Sequence, residues 1–432
     1  MLLYKHNTKI TVNIDRYLDV RITNSFKEFK EYSGKKFFML SVFDIWSVNS
    51  TAIKTDIDWD TVFLGELIQE LKTKKYPILF ESASEWCIKS NLDTVVDFCN
   101  YIGINPNDVY ICLANPQSVN LNINSYPELK QYNFLSIDLF AFDAVQFGCS
   151  MDSSLPKFKF DTRKRFLFLN RRYSTDRAYM YFQFHKLNLL DKMHSTFELH
   201  NVYNENLVTL DTVIKDIEKT HNTASREVID YINSNNTQIQ ASLPHKIRND
   251  NPLYNLNHKK SYLYSLWNIA AHNSTDINII SETFKYYKGI KDNDIHYQTL
   301  FFITEKTYRT ILMKQPFILF SNPYALKYLR DAGYKTFSPF IDESYDIIEN
   351  LADRQNAIVK EVNRLHNMGE YEFNKLLDNC KIIADHNYNN LMKRKLDKFH
   401  NTIWSNDKFK TYLRDIDLTL KSGSLLKRYN KY

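Results

Sequence analysis

The chain has 432 residues, 44% of them hydrophobic and 25% charged, with a formal net charge of +6. No apolar run reaches membrane-spanning length, and the eight glycines form neither a GxGxxG loop nor a P-loop, which argues against a transmembrane protein, a dinucleotide oxidoreductase and a P-loop enzyme. The five cysteines include no CxxC pair and the N-terminus has no signal-peptide pattern, so we expect a cytoplasmic protein with reduced thiols and no zinc site.

The first part of the chain predicts an α/β domain. Three short apolar runs are typical of buried strands: 36–42, 76–80 and 109–113. A helical pattern over 92–102 ends at Gly103, a residue type that commonly follows the C-terminus of a helix. We place an N-terminal Rossmann-like domain at 1–155, because the polar segment 153–164 then interrupts the pattern.

A basic turn opens the second α/β pattern. An apolar strand at 165–169 is followed by Arg171 and Arg172, and then by a Ser-Thr-Asp cluster typical of a helix N-terminus. Arg177 lies in the first turn of that helix. The forked guanidinium groups of these arginines suit a diphosphate, although they are also compatible with surface charges at a domain boundary.

Strand and helix signals alternate closely after residue 277. Apolar runs predict strands at three places: 277–280, 316–320 and 334–337. Thr304 is suited to cap a helix. A second helix is expected to begin with the proline of Ser-Asn-Pro at 321–323 and to end at Gly333. Strands and helices alternating at these lengths indicate parallel βαβ units. We therefore predict a C-terminal Rossmann-like domain at 165–355, followed by charged helices at 356–432.

Three charged residues lie where ligands bind in open parallel sheets, beyond the carboxyl ends of the strands and at the helix N-termini. Glu282 follows the strand at 277–280, and Glu305 and Lys306 begin the helix after Thr304. The Glu305 carboxylate can accept ribose hydroxyl hydrogens, and the Lys306 ammonium can neutralise a phosphate. The alternatives are that Glu282 is an ordinary turn residue and that Glu305 only complements the helix dipole.

Three sequence elements in this region occur in a characteristic order: Ser281-Glu282-Thr283, Phe302-Ile303-Thr304-Glu305-Lys306 and Gln315-Pro316-Phe317-Ile318-Leu319. Their order resembles the donor-binding core of the fucosyltransferase family, which has a Glu-Asn-Ser element, a Thr-Glu-Lys helix start and an apolar strand with proline. This chain keeps the Glu of the first element but not the Asn.

The resemblance implies a glycosyltransferase of the GT-B type, in which two Rossmann-like domains face each other across a cleft. The C-terminal domain then holds a nucleotide sugar, the N-terminal domain holds the acceptor, and extra helices follow at the C-terminus. The residues and the resemblance together give one predicted donor-binding set: Arg171, Arg172, Arg177, Glu282, Thr304, Glu305 and Lys306.

An inverting transferase needs a general base that removes the proton of the acceptor hydroxyl. Glu81 is the first candidate for this role and Glu85 the second, because both follow the strand at 76–80 and would face the cleft. The alternative is that they cap a helix beginning near Trp86.

No metal or cofactor is expected besides the donor substrate. Two acidic groups, at 56–60 and 292–294, resemble those with which some transferases hold a divalent ion against the diphosphate. Short acidic runs are also common on protein surfaces. The arginines and Lys306 can neutralise a diphosphate without metal, so we predict a metal-independent reaction.

The distribution of charge leaves the acceptor open. Residues 1–160 contain 16 Lys and Arg against 19 Asp and Glu, whereas residues 161–432 contain 40 against 31. A basic second half suits a phosphate-rich ligand, but charge alone favours the alternative of a solvated surface with a basic tail. The acceptor is therefore either a glycan or lipid-linked saccharide, or DNA with hydroxymethylated bases of the kind modified by phage enzymes. A non-enzymatic nucleic-acid-binding protein with a transferase-like fold is the remaining alternative.

Overall fold

The computed structural model describes these residues: 2–5, 21–23, 25–33, 36–41, 65–82, 89–113, 127–136, 141, 144–145, 160, 162–170, 173–199, 208–221, 225–243, 266–282 and 303–393. The chain divides into two compact units, one comprising Met1–Leu139 with Leu396–Tyr432 and the other comprising Phe140–Lys395. Within the described ranges, no helix is both long and apolar enough to cross a membrane.

The first unit is built around a six-stranded sheet. Its strands are β1 (Leu2–Lys5), β2 (Arg21–Thr23), β3 (Lys36–Ser41), β4 (Ile78–Ser82), β5 (Val109–Leu113) and β6 (Asn133–Ser136). Their order is β2-β1-β3-β4-β5-β6, and all neighbouring strands are parallel. The helices described in this unit are α1 (Phe26–Glu31), α2 (Gly65–Lys74) and α3 (Lys89–Ile102).

Apolar side chains of the central strands form the core of this unit. Phe38 of β3, Phe80 of β4 and Ile111 of β5 are fully buried. Phe98 of α3 packs edge-on against Phe80, with 6.1 Å between the ring centroids. Helix α3 ends before Gly103, whose φ of +62° is readily adopted by glycine. The strands and the helix end predicted here are confirmed.

The second unit contains a four-stranded parallel sheet in the order β10-β9-β7-β8. Its strands are β7 (Lys164–Asn170), β8 (Met193–Phe197), β9 (Thr275–Ser281) and β10 (Phe317–Phe320). Its described helices are α4 (Thr175–Lys186), α5 (Leu210–His221), α6 (Arg226–Ser234), α7 (Asn236–Ser242), α8 (Leu266–Asn273), α9 (Glu305–Leu312), α10 (Ala325–Asp331), α11 (Leu351–Asn367) and α12 (Glu370–Lys393). The predicted α/β class with two Rossmann-like sheets is confirmed.

Helices cover both faces of the second sheet. Side chains alternate between the faces of a strand, and the pairing sets Phe166 opposite Ile277. On the face of these residues, Phe168 packs against Phe184 of α4, with 5.1 Å between the ring centroids. On the opposite face, Asn278 Nδ2 donates a 2.6 Å hydrogen bond to Thr310 Oγ1 of α9. The N-termini of α4 and α9 therefore lie on opposite faces of the same strand edge.

Arg165 of β7 attaches α11 and α12, the last two helices that the structure describes, to the sheet. Its Nη1 donates to the carbonyls of Leu365 (2.9 Å), His366 (3.1 Å) and Met368 (2.8 Å) at the end of α11. Its Nη2 lies 2.7 Å from Glu370 at the start of α12. One side chain thus satisfies helix-end carbonyls of α11, which have no partner within the helix.

Two local predictions in this unit were wrong. The segment 334–337 pairs with no strand among the described residues. Asn387 of α12 instead bonds both the N–H and the carbonyl of Lys335. Helix α10 was expected to begin with the proline of Ser-Asn-Pro at 321–323, but it begins at Ala325. Tyr324 has a φ of +67° and turns the chain before the helix starts.

Candidate functional site

The candidate site lies at the carboxyl edge of the second sheet, where β9 and β10 end and α9 begins. Thr304 caps α9, as predicted, with its side-chain oxygen accepting a bond from the Lys306 N–H. Glu282 follows β9 directly, and its own N–H donates to the carbonyl of Phe320 at the end of β10 (2.9 Å). This edge of a parallel sheet is where ligands of such folds bind.

The Glu282 carboxylate is buried, with 1% of the residue exposed, and it accepts four hydrogen bonds. Its Oε1 accepts from the Thr304 N–H (2.9 Å) and from the Thr307 hydroxyl (2.6 Å). Its Oε2 accepts from the Thr304 hydroxyl and from the Lys306 ammonium, whose Nζ is 3.3 Å away. Both oxygens therefore have two donors each, which is the full acceptor capacity of a carboxylate.

The surroundings of Glu282 keep it ionised. Burial raises the pKa of this carboxyl, but the positive charge of Lys306 and the hydrogen bonds from Thr304 and Thr307 lower it by more, so that the pKa lies below its usual value. The site thus contains a fixed negative charge, the Glu282 carboxylate, next to the Lys306 ammonium.

Lys306 and Glu305 occupy the first turn of α9 and differ in their partners. The Lys306 side chain is 21% exposed, and its ammonium lies 3.3 Å from Glu282 Oε2. Glu305 is partly buried, and its carboxylate has no hydrogen bond or ion pair with any residue described here. An ammonium group and a carboxylate are therefore presented together at a helix N-terminus.

Arg177, in the first turn of α4, lies at the same edge of the sheet. Its Nε lies 3.4 Å from Ser281 Oγ, and its Nη2 lies 3.5 Å from the carbonyl oxygen of Glu282. Both distances are long for hydrogen bonds, so these contacts hold the guanidinium near β9 only weakly. A second cation thus lies beside the end of β9, on the face opposite α9.

The structure brings together five of the sequence-predicted site residues: Arg177, Glu282, Thr304, Glu305 and Lys306. Arg171, Arg172 and Glu85 lie outside the described residues, as do the acidic groups at 56–60 and 292–294. Glu81 belongs to β4 by its backbone, and its side chain also lies outside the description. Among the residues that are described, no group of three or more His, Cys, Asp and Glu could hold a metal ion.

Two residues of this edge were missed by sequence reasoning. Thr307 is fully buried and donates to Glu282, and the available signal was its position three residues after the capping threonine, on the same face of the helix. Asn170 ends β7, and within the described ranges neither its side-chain nitrogen nor its side-chain oxygen has a hydrogen-bond partner, although the residue is buried. A buried amide without a partner is rare and calls for a group that completes it.

No protein-family model and no curated protein matches the chain. Among solved structures, the chain is similar to alpha,alpha-trehalose 6-phosphate synthase from Burkholderia multivorans, with a TM-score of 0.40 and 10% sequence identity. The match covers 89% of this chain and 72% of that chain. A likeness of this size carries no argument about the chemistry of the site.

Proposed function

We propose that the chain is a glycosyltransferase of the GT-B type that binds a nucleotide sugar at the carboxyl edge of its second sheet. The observation that carries the proposal is the first turn of α9. It presents Lys306 beside Glu305, whose carboxylate has no partner among the described residues, at the end of a parallel strand. The proposal agrees with the fucosyltransferase resemblance of the same residues.

The diphosphate is assigned to the cationic side of this turn. Helix N-termini attract anions through the helix dipole, and Lys306 places an ammonium there that is also paired with Glu282. Arg177 lies on the other face of the same edge and supplies a forked donor. With Arg171 and Arg172, which precede α4 in the sequence, these groups neutralise a diphosphate without a metal ion.

The ribose is assigned to Glu305. Its carboxylate is an acceptor without a donor among the described residues, and vicinal hydroxyls are the complementary group. Glu282 cannot take this part because its oxygens are already occupied. The two carboxylates of the site therefore have different tasks.

In the proposed reaction, the acceptor oxygen forms a bond to the anomeric carbon of the donor sugar. The bond from that carbon to the phosphate oxygen breaks, and its electron pair leaves with the nucleoside diphosphate. The acceptor proton passes to a carboxylate, for which Glu81 at the end of β4 is the first candidate and Glu85 the second. Lys306 and Arg177 stabilise the charge that develops on the leaving diphosphate.

The test is binding of UDP, GDP, CDP and dTDP to the full chain, followed by calorimetry with the nucleotide that raises the melting temperature most. Lys306→Ala should weaken binding at least about tenfold, since a charge-assisted contact is worth that much. Lys381→Ala, which removes an exposed lysine of α12, should leave the affinity unchanged.

A second candidate function, transfer to hydroxymethylated DNA, is favoured by the excess of positive charge in residues 161–432. Stabilisation by a nucleoside diphosphate supports an enzyme with either acceptor. Stabilisation by duplex DNA alone, with no response to any nucleotide, would contradict the proposal and indicate a nucleic-acid-binding protein.

A further inference from the structure

We infer that Glu282 and Thr307 are positioning residues, which set the direction of the Lys306 ammonium without touching the ligand. The inference rests on the proposed function, because it assigns these residues a task in the same phosphate site. It concerns Thr307 in particular, a residue to which neither the sequence pattern nor the family resemblance gives a role.

Glu282 is excluded from direct contact by its surroundings. Its carboxylate is 1% exposed, and each oxygen already has two donors. Its backbone is fixed as well, since its N–H donates to Phe320 of β10. A ligand that donated a hydrogen bond to this carboxylate would first have to displace Thr304 or Thr307.

The same contacts determine how α9 is rotated about its axis. Thr304 and Thr307 are one helical turn apart and donate to the same carboxylate, so the face of the helix that contains them is held against the end of β9. Lys306 lies between them in sequence. Its ammonium is held 3.3 Å from Glu282 Oε2 and equally far from Thr304 Oγ1. Loss of either threonine contact frees the first turn to rotate and moves the ammonium.

Thr307 is the better probe because its substitution leaves the charges unchanged. Thr307→Val has nearly the same shape, removes the hydroxyl and leaves Oε1 with one donor, whereas Thr307→Ser keeps the donor. We expect Thr307→Val to weaken binding of inorganic pyrophosphate and of the preferred nucleoside diphosphate about tenfold, and Thr307→Ser to retain the wild-type affinity. Glu282→Gln, which removes the charge as well, should weaken both ligands at least as much.

A matched control separates positioning from a general loss of stability. Thr275→Val removes another buried hydroxyl, at the opposite end of β9, where Thr275 bonds Ala271 and Gln315. It should lower the melting temperature and leave the affinity for pyrophosphate unchanged. Equal affinities in Thr307→Val and Thr275→Val would overturn the inference.

Amide hydrogen exchange of the ligand-free protein tests the inference independently of any nucleotide. The Thr304 N–H is bonded to Glu282, so Thr307→Val and Glu282→Gln should speed exchange in the segment 303–308, while Thr307→Ser and Thr275→Val should not. Unchanged exchange in this segment contradicts positioning by Thr307. If the wild-type chain binds neither pyrophosphate nor nucleotides, the proposed function fails, and the exchange result still decides how the helix start is held.

Discussion

His272 shows how a buried titratable residue can be structural. It is 3% exposed, its Nε2 accepts from Arg309 Nε at 3.2 Å, and its Nδ1 lies 2.6 Å from Gln315 Oε1. Because Nε2 accepts, the proton is on Nδ1 and is donated to Gln315. Burial and the adjacent Arg309 charge lower the pKa of His272 to about 3. The residue is therefore a neutral hydrogen-bond bridge between α8, α9 and the turn that follows α9.

Lowering the pH should destabilise the folded protein, because His272 is protonated more readily in the unfolded state than in the folded state. The folded pKa of about 3 lies below the unfolded value, so the unfolded state binds the proton first and stability falls as pH decreases from the unfolded pKa towards the folded one. His272 alone should contribute a loss of about 2 kcal/mol between pH 7 and pH 5. Urea unfolding of wild type and His272→Gln at both pH values measures it. Identical pH dependence in the two proteins would contradict the assignment.

A matched pair of ligands tests whether Glu305 binds the ribose. If its carboxylate accepts the ribose hydroxyls, Glu305→Gln should weaken a nucleoside diphosphate about tenfold, since hydrogen bonds to charged groups are worth that much. The 2′,3′-dideoxy form of the same nucleotide should bind wild type and variant equally. Calorimetry with the four combinations gives a double-mutant cycle. Equal losses for both ligands would place Glu305 away from the ribose.

Arg165 joins a strand and two helices through one guanidinium group. It bonds three carbonyls at the end of α11 and Glu370 of α12, and its guanidinium lies 4.3 Å over the ring of Phe373. Its side chain is 11% exposed, so water replaces these contacts poorly. Arg163, two residues earlier, pairs with Asp276 but is 62% exposed. The two arginines are close in sequence and differ in burial.

Arg165→Ala should therefore lower the free energy of unfolding by about 2–4 kcal/mol, because the part-buried carbonyls of Leu365 and Met368 lose a donor and that of His366 keeps only Lys192. Arg165→Lys should recover only part of this, since an ammonium cannot reproduce the planar fork. Arg163→Ala should cost less than about 1 kcal/mol, as exposed ion pairs do. Urea unfolding of the three variants measures the free energy that each loses. Equal losses in Arg163→Ala and Arg165→Ala would contradict the role of Arg165 in holding α11 and α12 to β7.

Elements whose signals are local were predicted correctly. The Thr304 cap, the apolar strand before residue 320 and the glycine after α3 depend on residues within a few positions of each other. The segment 334–337 was predicted wrongly because its partner is Asn387, 52 residues further along the chain. Apolar alternation cannot distinguish a strand bonded to another strand from an extended segment bonded to a side chain.

Sequence signals selected only part of the candidate site, again because only local signals can be recognised in a sequence. Charge and helix position were enough to select Lys306 and Glu305. Thr307 was not selected, because a threonine inside a helix is neither part of an apolar stripe nor charged, and its role depends on Glu282, which precedes it by 25 residues. The contact between Arg177 and Ser281 joins positions even further apart.

Because the charge of the chain is uneven, the salt dependence of acceptor binding should distinguish a DNA acceptor from a saccharide acceptor. Residues 161–432 hold the positive excess, while residues 1–160 are net acidic. A long DNA acceptor must displace counterions as it binds, so its affinity should fall steeply as salt rises from 50 to 200 mM, by on the order of 10³-fold if about six phosphates are contacted. A neutral saccharide should show almost no slope. A flat slope with transfer to a saccharide rules out DNA, and a steep slope with transfer only to hydroxymethylated duplex rules out the glycan.

The order of strands in the second sheet has a consequence for synthesis on the ribosome. β7 and β8 emerge early and can pair around α4, but β9, the other neighbour of β7, is translated only after helices α5 to α8. The pairing of Phe166 with Ile277 therefore waits for a long intervening segment. β10, which accepts the Glu282 N–H through Phe320, comes later still. In a nascent chain, one edge of β7 thus stays unpaired for most of the unit's translation, and the proposed ligand site is among the last parts of the sheet to form.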